Sequence, residues 1–242
     1  MKYSILIPTL NEEKYLGGLL NSLTKQTYKD FEVIVIDAHS EDKTVEIAKT
    51  FLEKLPIKII NSPKRNVSFQ RNLAAKNASS DNYIFFDADV IVEKNFIASI
   101  AQTQSTKDFQ LATSWLKPLS DRLSDKITFG LFNRFYLELT KYFTPGGLGA
   151  FLYIHRSAFN KVGGFNLKTD YGEDFDIVKR IHQQGFKYHL FRRPAVGFSV
   201  RRLDKEGRPY FIYKMIKSGL YYHTLGTLDK KKIHVTHELG KF

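Results

Sequence analysis

Residues 83–89 of the chain read YIFFDAD, an apolar run that ends in two carboxylates one residue apart. The run has the length and composition of a buried strand. If the chain stays extended, Asp87 and Asp89 project to the same side. Two hard oxygen donors then converge at the carboxyl end of a strand, where open α/β sheets bind ligands. That donor set suits Mg²⁺ or Mn²⁺, which takes one or two carboxylates and completes its shell with phosphate and water. The same pair also serves as an ordinary turn after a strand, and the triplet alone does not separate the two readings. A second acidic pair, Glu173-Asp174, opens a helical pattern that runs to about residue 184. A helix N-terminus there would lower the pKa of Asp174 and aim it at a ligand. Its plain alternative is a capping acid.

These acids need a frame. Residues 3–8 (YSILIP), 31–36 (FEVIVI), 57–60 and 83–86 read as buried strands. Between them lie helical patterns: one opening at Asn11 as N-cap with Glu12 and Glu13 in its first turn, one over 42–55, and one over 66–77 that carries Arg71. Alternating strands and helices of this length predict a parallel sheet with helices on both faces. The strand ends carry Thr9, then Asp37, His39 and Ser40, then Lys64 and Arg65, then the acidic triplet, which is the layout of a nucleotide crevice. No G-x-G-x-x-G follows the first strand and no Walker loop occurs, so the dinucleotide and P-loop readings fail at their defining residues. The phosphates must be held another way, and a metal on Asp87 and Asp89 supplies it.

Six segments in order, SILIPTLNEEKYL, VIVIDAHSEDKT, QRNLAAKNA, DAD, GGLGAFLYIHRSAFNKVGGF and YGEDFDIVKRI, resemble a family-2-type glycosyltransferase of the GT-A fold. The resemblance covers nearly the whole chain, most strongly residues 3–89 and 146–185. It implies an α/β, Rossmann-like three-layer fold around a central, mostly parallel sheet. It implies one domain over residues 1–228, with 1–115 as the nucleotide-sugar half, 116–228 as the acceptor half, and a basic tail at 229–242. It places Pro8, Thr9 and Glu12 against the base and ribose, Asp37 as an acceptor for the base, Arg71 near the donor, and Asp87 and Ala88 at the ribose or metal. Asp89 becomes the main ligand of an Mg²⁺ or Mn²⁺ that carries the diphosphate. Asp174 becomes the base that takes the acceptor's proton in an inverting transfer, with Glu173 orienting acceptor or loop. With a lipid phosphate as acceptor, already anionic, Asp174 would position rather than deprotonate. The implied donor is a UDP- or GDP-sugar, and the implied acceptor is a glycan or lipid-linked hydroxyl.

The second half is less explicit. A helical pattern covers 91–102, a strand 109–115, and a long aromatic segment 127–143. On a helix, Phe129, Leu131, Phe132, Phe135, Tyr136, Leu139, Tyr142 and Phe143 share a broad face, expected to pack on the sheet. The sharper alternative is a helix lying in a membrane interface. Gly146, Gly147 and Gly149 form a loop through which backbone can approach a ligand closely, and Gly147 is placed at the acceptor. Arg201 and Arg202 follow a late strand and suit a phosphate. The resemblance implies a C-terminal histidine on the metal, for which His223, His234 and His237 are candidates, none of them in a matching motif. Residues 210–225 are amphipathic and read as a closing helix.

The 37 basic against 25 acidic residues leave a charge of +12, which points to anionic partners: nucleotide phosphates, nucleic acid or an anionic membrane surface. No nucleic-acid-binding module is present, so no specific nucleic acid is expected, and charge alone predicts only weak, salt-sensitive polyanion binding. There are no cysteines, hence no disulfide framework and no thiolate metal site. The first residues lead straight into a strand with no room for a signal peptide, and no apolar run reaches spanning length. The expected setting is the cytoplasm, with peripheral contact to the cytoplasmic membrane face. A nucleotidyltransferase acting on sugar phosphates is disfavoured, because PTLNEEKYL lacks the glycine-rich basic signature that chemistry needs.

Overall fold

A computed structural model of the chain describes residues 2–169 and 171–225. The four apolar runs of the first half are strands, Tyr3–Thr9 (β1), Phe31–Asp37 (β2), Ile57–Asn61 (β3) and Asn82–Phe85 (β4). They pair in parallel in the order β3-β2-β1-β4. Helices Leu16–Thr24 (α1), Thr44–Lys49 (α2) and Val67–Asn77 (α3) fill the crossovers. Every residue of β1 and β2 is buried, as a parallel sheet covered on both faces requires.

The second half adds the strand Val90–Ile91 (β5), helix Phe96–Thr106 (α4), strand Leu111–Pro118 (β6) and helix Leu123–Leu131 (α5). The α5 helix continues as a π-helical segment, Phe132–Leu137, and ends in the α-turn Glu138–Thr140 (α6). Then come strand Leu152–His155 (β7), helices Arg156–Lys161 (α7) and Glu173–Gln183 (α8), strand Tyr188–Phe198 (β8), and helices Arg201–Glu206 (α9) and Arg208–Leu225 (α10). One sheet runs through both halves in the order β3-β2-β1-β4-β7-β6-β8-β5. β7 is antiparallel to β4 and β6, and β8 is parallel to β6 and antiparallel to β5.

Strand alternation divides the core. Ile5, Ile7, Val33 and Val35 face Leu16, Leu19, Leu20 and Leu23 of α1, while Leu6, Ile34, Ile36 and Phe85 face Ala74 of α3 and Ile177, Val178 and Ile181 of α8. Burying the four leucines of α1 contributes on the order of 8 kcal/mol of transfer free energy. α3 and α8 are thereby held against the same sheet face, which brings their polar ends to the ends of β1 and β4. One carboxylate sits inside the sheet. Glu32 accepts from Ser4 Oγ at 2.7 Å, from Ser79 N and Oγ at 2.6 Å, and from Lys58 Nζ at 3.0 Å.

Several expectations are corrected. Asn11 is no N-cap, and α1 begins only at Leu16 with no acid in its first turn. Asn11 adopts a left-handed φ of 56° and its Oδ1 accepts from Glu41 N at 2.8 Å. Glu12 N and Glu13 N are bonded by Thr44 Oγ1 and Asp42 Oδ2. The two strand-end loops thus bond each other, and this takes the place of a first helical turn. α2 stops at Lys49, short of 55, and the helix expected from 91 starts at Phe96 because residues 90–91 pair with β8. The long aromatic helix is broken by its π segment, and most of its apolar stripe faces outward rather than onto the sheet. Only Phe129 and Leu137 of its large apolar residues are buried. The reason is Asn133, buried with its side chain accepting from Leu116 N at 2.9 Å and donating to Leu116 O at 2.8 Å, which turns a polar face to β6.

Candidate active site

The carboxyl ends of β1 and β4 open into a cavity of about 240 Å³. Pro8, Thr9 and Glu12 reach it from β1 and its loop, and Asp87, Ala88 and Asp89 from the loop after β4. Arg71 enters from α3, Glu173 and Asp174 from the start of α8, and Arg201 and Arg202 from the start of α9. Asp37 and Gly147 do not line it. Asp37 is buried, accepting from Thr9 Oγ1 at 3.0 Å and from Ser40 N and Oγ at 2.9 and 2.5 Å. It therefore holds Thr9 in place from behind. His234 and His237 lie outside the described residues, as does the side chain of His223, and the basic tail from 229 lies there too.

Two arginines organise the acids. Arg71, buried, donates through Nη1 to Glu173 Oε1 at 2.7 Å and through Nη2 to Asp87 Oδ1 at 2.8 Å, with its guanidinium over the Phe165 ring. Arg201 grips Glu12 with both Nη atoms at 2.7 and 2.8 Å, and its Nε lies 2.8 Å from Asp89 Oδ2. Its guanidinium stacks on Tyr15, 4.5 Å from the ring centre. Planar, forked donors suit such two-carboxylate bridging, and a lysine would not reproduce it.

Burial sets the titration of the site. It raises Glu12 and Asp89, with Arg201 pulling both back and Asp87 adding to the rise. Asp174 is pushed up to about 7, first by burial and then by Glu173 and Asp87, against the pull of Arg71 and a hydrogen bond from Gly149 N. This corrects the expectation that the helix N-terminus would lower it. Removal from water outweighs the dipole at a carboxyl this far withdrawn into the cavity wall.

The glycine loop fits these groups closely. Gly149 O accepts from Asp87 N at 3.1 Å, and Gly149 N donates to Asp174 Oδ2 at 2.7 Å. One residue therefore joins the acidic triplet to Asp174. A Cβ at Gly147 would lie 2.0 Å from Asp174 O, and one at Gly149 would lie 2.8 Å from both Arg71 Nη2 and Asp87 Oδ2. At Gly147, where the neighbour is backbone, only glycine permits the approach.

Asp87 and Asp89 offer carboxylate oxygens alone, and these fit Mg²⁺ or Mn²⁺. Among the described residues no three His, Cys, Asp or Glu side chains form a metal cage. An ion held by these two carboxylates would take phosphate and water for the rest of its shell.

Residues 4–163 match the model of glycosyl transferase family 2. The chain belongs to that family. Over 250 aligned residues it is 28% identical to a Methanococcus voltae protein, the dolichyl N-acetyl-alpha-D-glucosaminyl phosphate 3-beta-D-2,3-diacetamido-2,3-dideoxy-beta-D-glucuronosyltransferase, covering 90% of this chain and 75% of that one. It is 36% identical over 105 residues to the Staphylococcus aureus poly(ribitol-phosphate) beta-N-acetylglucosaminyltransferase TarS, covering 42% of this chain and 18% of TarS. TarS 1–349 in complex with UDP-GlcNAc superposes with a TM-score of 0.69 at 21% identity, covering 96% and 69% of the two chains. The mannosyltransferase PcManGT of Pyrobaculum calidifontis, in complex with GDP-Man and Mn²⁺, superposes with a TM-score of 0.72 at 18% identity, covering 98% and 65%. The fold of this family 2 glycosyltransferase is GT-A.

Some of the site escaped the sequence. Nothing in the spacing joined Arg71 to Glu173 or Arg201 to Glu12, which are 102 and 189 residues apart. The cavity also has an apolar arm, lined by Leu116, Phe129, Phe132, Phe198, Phe211 and Met215. Its signal was present as aromatics in residues 127–143 and 210–225, but the pattern did not tell which of them turn inward.

Proposed function

We propose that this family 2 enzyme moves a sugar from a UDP- or GDP-sugar to an acceptor hydroxyl on a glycan or lipid-linked molecule, with inversion and with a divalent cation. The observation that carries the reading is the Asp87–Gly149–Asp174 connection, which fixes a buried carboxyl beside the acidic triplet. The acceptor O–H gives its proton to Asp174 as its oxygen forms the bond to the anomeric carbon and the bond to the diphosphate breaks. A base held near neutral pH is suited to that transfer. Arg71 holds Glu173 and Asp87 so that the base keeps its place. Pro8, Thr9 and Glu12 receive the base and ribose, with Asp37 orienting Thr9. Arg201 and Arg202 face the departing diphosphate. Asp89 and Asp87 would hold Mg²⁺ or Mn²⁺, which supplies neutralisation of the leaving nucleoside diphosphate.

The apolar arm of the cavity favours a lipid-linked acceptor within this reading, and the Methanococcus relative's name carries such an acceptor. If the nucleophile is itself a polyprenyl phosphate, it arrives anionic and Asp174 positions it. The rate then no longer rises with pH through about 7.

Calorimetry with UDP, GDP and dTDP, with and without Mn²⁺, on the wild type and Asp89→Ala tests the reading. Micromolar binding of one nucleotide is expected, dependent on the ion and lost in the variant (roughly −8 kcal/mol). No ion-dependent binding of any of the three overturns it.

A further inference from the structure

Leu123, Ile127, Leu131, Phe135, Leu139 and Phe143 recur every four residues along α5, the π segment, α6 and the turn that follows it. Steps of four drift around an α-helix, because about 3.6 residues make a turn. The wider turns of the π segment drift the other way and bring the row back into line. All six are exposed, from 53% at Ile127 and Leu131 to 71% at Leu123 and 80% at Phe143. The neighbouring α10 turns Tyr210, Tyr213 and Ile216 outward as well, at 48 to 59%. Contiguous apolar exposure of this kind marks an interaction surface.

We propose that the outer faces of α5–α6 and α10 dock on an anionic lipid bilayer. Charge selects this occupant. The acids of the two helices turn inward, Asp125 onto Arg208 at 2.7 Å and Glu138 onto Arg192 and Lys141 at 2.7 and 2.6 Å. The charges turned outward on α5–α6 are Lys126, 3.9 Å from the exposed Asp121 that precedes α5, and Arg134, and α10 adds the half-buried Lys217 with no acid along its length. Aromatic and aliphatic residues flanked by cations are what an anionic interface holds. A second copy of this face would set cation against cation. Continuity with the site points the same way. The inward sides of the same two helices, at Phe129, Phe132, Phe211 and Met215, line the apolar arm of the cavity. The same two helices thus carry apolar residues both outward and into the cavity that holds the carboxylates. The bearing of this on an acceptor rests on the transferase reading, whereas docking itself does not. Among the described residues no helix is long and apolar enough to cross the membrane, so the contact is interfacial.

The test is flotation of the full chain with vesicles of phosphatidylcholine alone or mixed with phosphatidylglycerol. The proteins compared are the wild type, Phe135→Glu/Leu139→Glu, and Leu52→Glu as a control at an exposed leucine elsewhere. Binding to the anionic vesicles is expected, reduced roughly tenfold or more in the double variant and unchanged in the control. Nucleotide calorimetry on the double variant is expected to match the wild type, so a failed docking proposal is told apart from a failed transferase reading. No binding to anionic vesicles overturns the proposal. So does binding that survives the double variant, which would assign it to the basic tail. A wild-type dimer in light scattering that the double variant dissociates, without vesicle binding, overturns it in favour of a second copy.

Discussion

Replacing Asp174 with asparagine separates what this residue does for catalysis from what it costs the fold. Burial, then Glu173 and Asp87, push its carboxyl up to about 7. A carboxyl that titrates near 4 in the unfolded chain and near 7 in the folded one penalises the ionised fold by about 4 kcal/mol, at ~1.4 kcal/mol per pH unit. The folded state holds the proton more tightly, so stability is greatest in acid. It falls as pH rises from about 4 through about 7. Asparagine carries no charge and removes the penalty. It has one oxygen, however, where Asp174 uses two, accepting from Gly149 N at 2.7 Å and Phe175 N at 2.9 Å. That loss costs about 1 kcal/mol. The variant is therefore expected to be more stable than the wild type by about 3 kcal/mol near pH 8.5, roughly 6 to 12 °C in Tm for a chain of this size. Near pH 5, where the wild-type carboxyl is protonated, the gap closes. Thermal unfolding without ligands at the two pH values measures it. A transfer assay alongside is expected to show a loss on the order of 10²-fold or more with nucleotide binding kept. A variant no more stable than the wild type at the higher pH, or one with the same gap at both, refutes the assignment of a buried, raised carboxyl.

Arg201→Ala leaves the buried Asp89 and the half-buried Glu12 without their shared cation, and urea unfolding is expected to show a loss of about 3 kcal/mol. A change under about 1 kcal/mol counts against the bridge. Gly147→Ala sets a Cβ 2.0 Å from Asp174 O, so the loop and the start of α8 must part. Transfer should fall severely while far-ultraviolet circular dichroism keeps its wild-type shape. Glu32 is buried, which raises its pKa, but Ser79, Ser4 and Lys58 outweigh this and bring it down to about 2. Its stabilisation, about 3 kcal/mol, is present above the unfolded value near 4.5 and lost as pH falls through about 2. Glu32→Gln should remove that acid limb and lower neutral-pH stability by a similar amount, read from denaturant titrations across the acid range.

What the sequence made legible is what depends on near neighbours. The runs YSILIP, FEVIVI and YIFF became β1, β2 and β4, because a strand buried on both faces leaves an unbroken apolar word. The acids at the strand ends reached one cavity because parallel strands align their carboxyl ends. Other features turn on partners far along the chain. The helix N-terminus at Asp174 is local and argues for a low pKa, whereas the enclosure that raises it is assembled from α3, the glycine loop and α8. The aromatic stripe shows the same limit. Periodicity fixes that Phe135 and Leu139 share a side, but which side meets the sheet was decided by Asn133 finding the backbone of Leu116.

The distribution of charge explains why this site should need both its arginines and an added cation. Glu12, Asp87, Asp89, Glu173 and Asp174 converge with Arg71, Arg201 and Arg202 on one enclosed space. Lys214, paired with Glu206, lines the same space, so with every group ionised the five carboxylates outnumber the four cations by one, and a nucleoside diphosphate adds further negative charge. Two like charges about 4 Å apart repel by roughly 4 kcal/mol at an effective dielectric near 20. On the proposed function, a donor diphosphate therefore meets net negative charge in the ligand-free arrangement. Arg201 is committed to Glu12 and Asp89, and Arg71 to Glu173 and Asp87, so neither guanidinium has its full charge to offer. Asp87 and Asp89 would hold the proposed divalent ion, which would offset the surplus, and Arg201 would then face the diphosphate with Arg202. Proton uptake by Asp174 cancels one unit more. On this account the raised carboxyl, the bridging arginines and the proposed ion dependence of donor binding share one cause: more negative charge has been gathered at the strand ends than the protein itself neutralises.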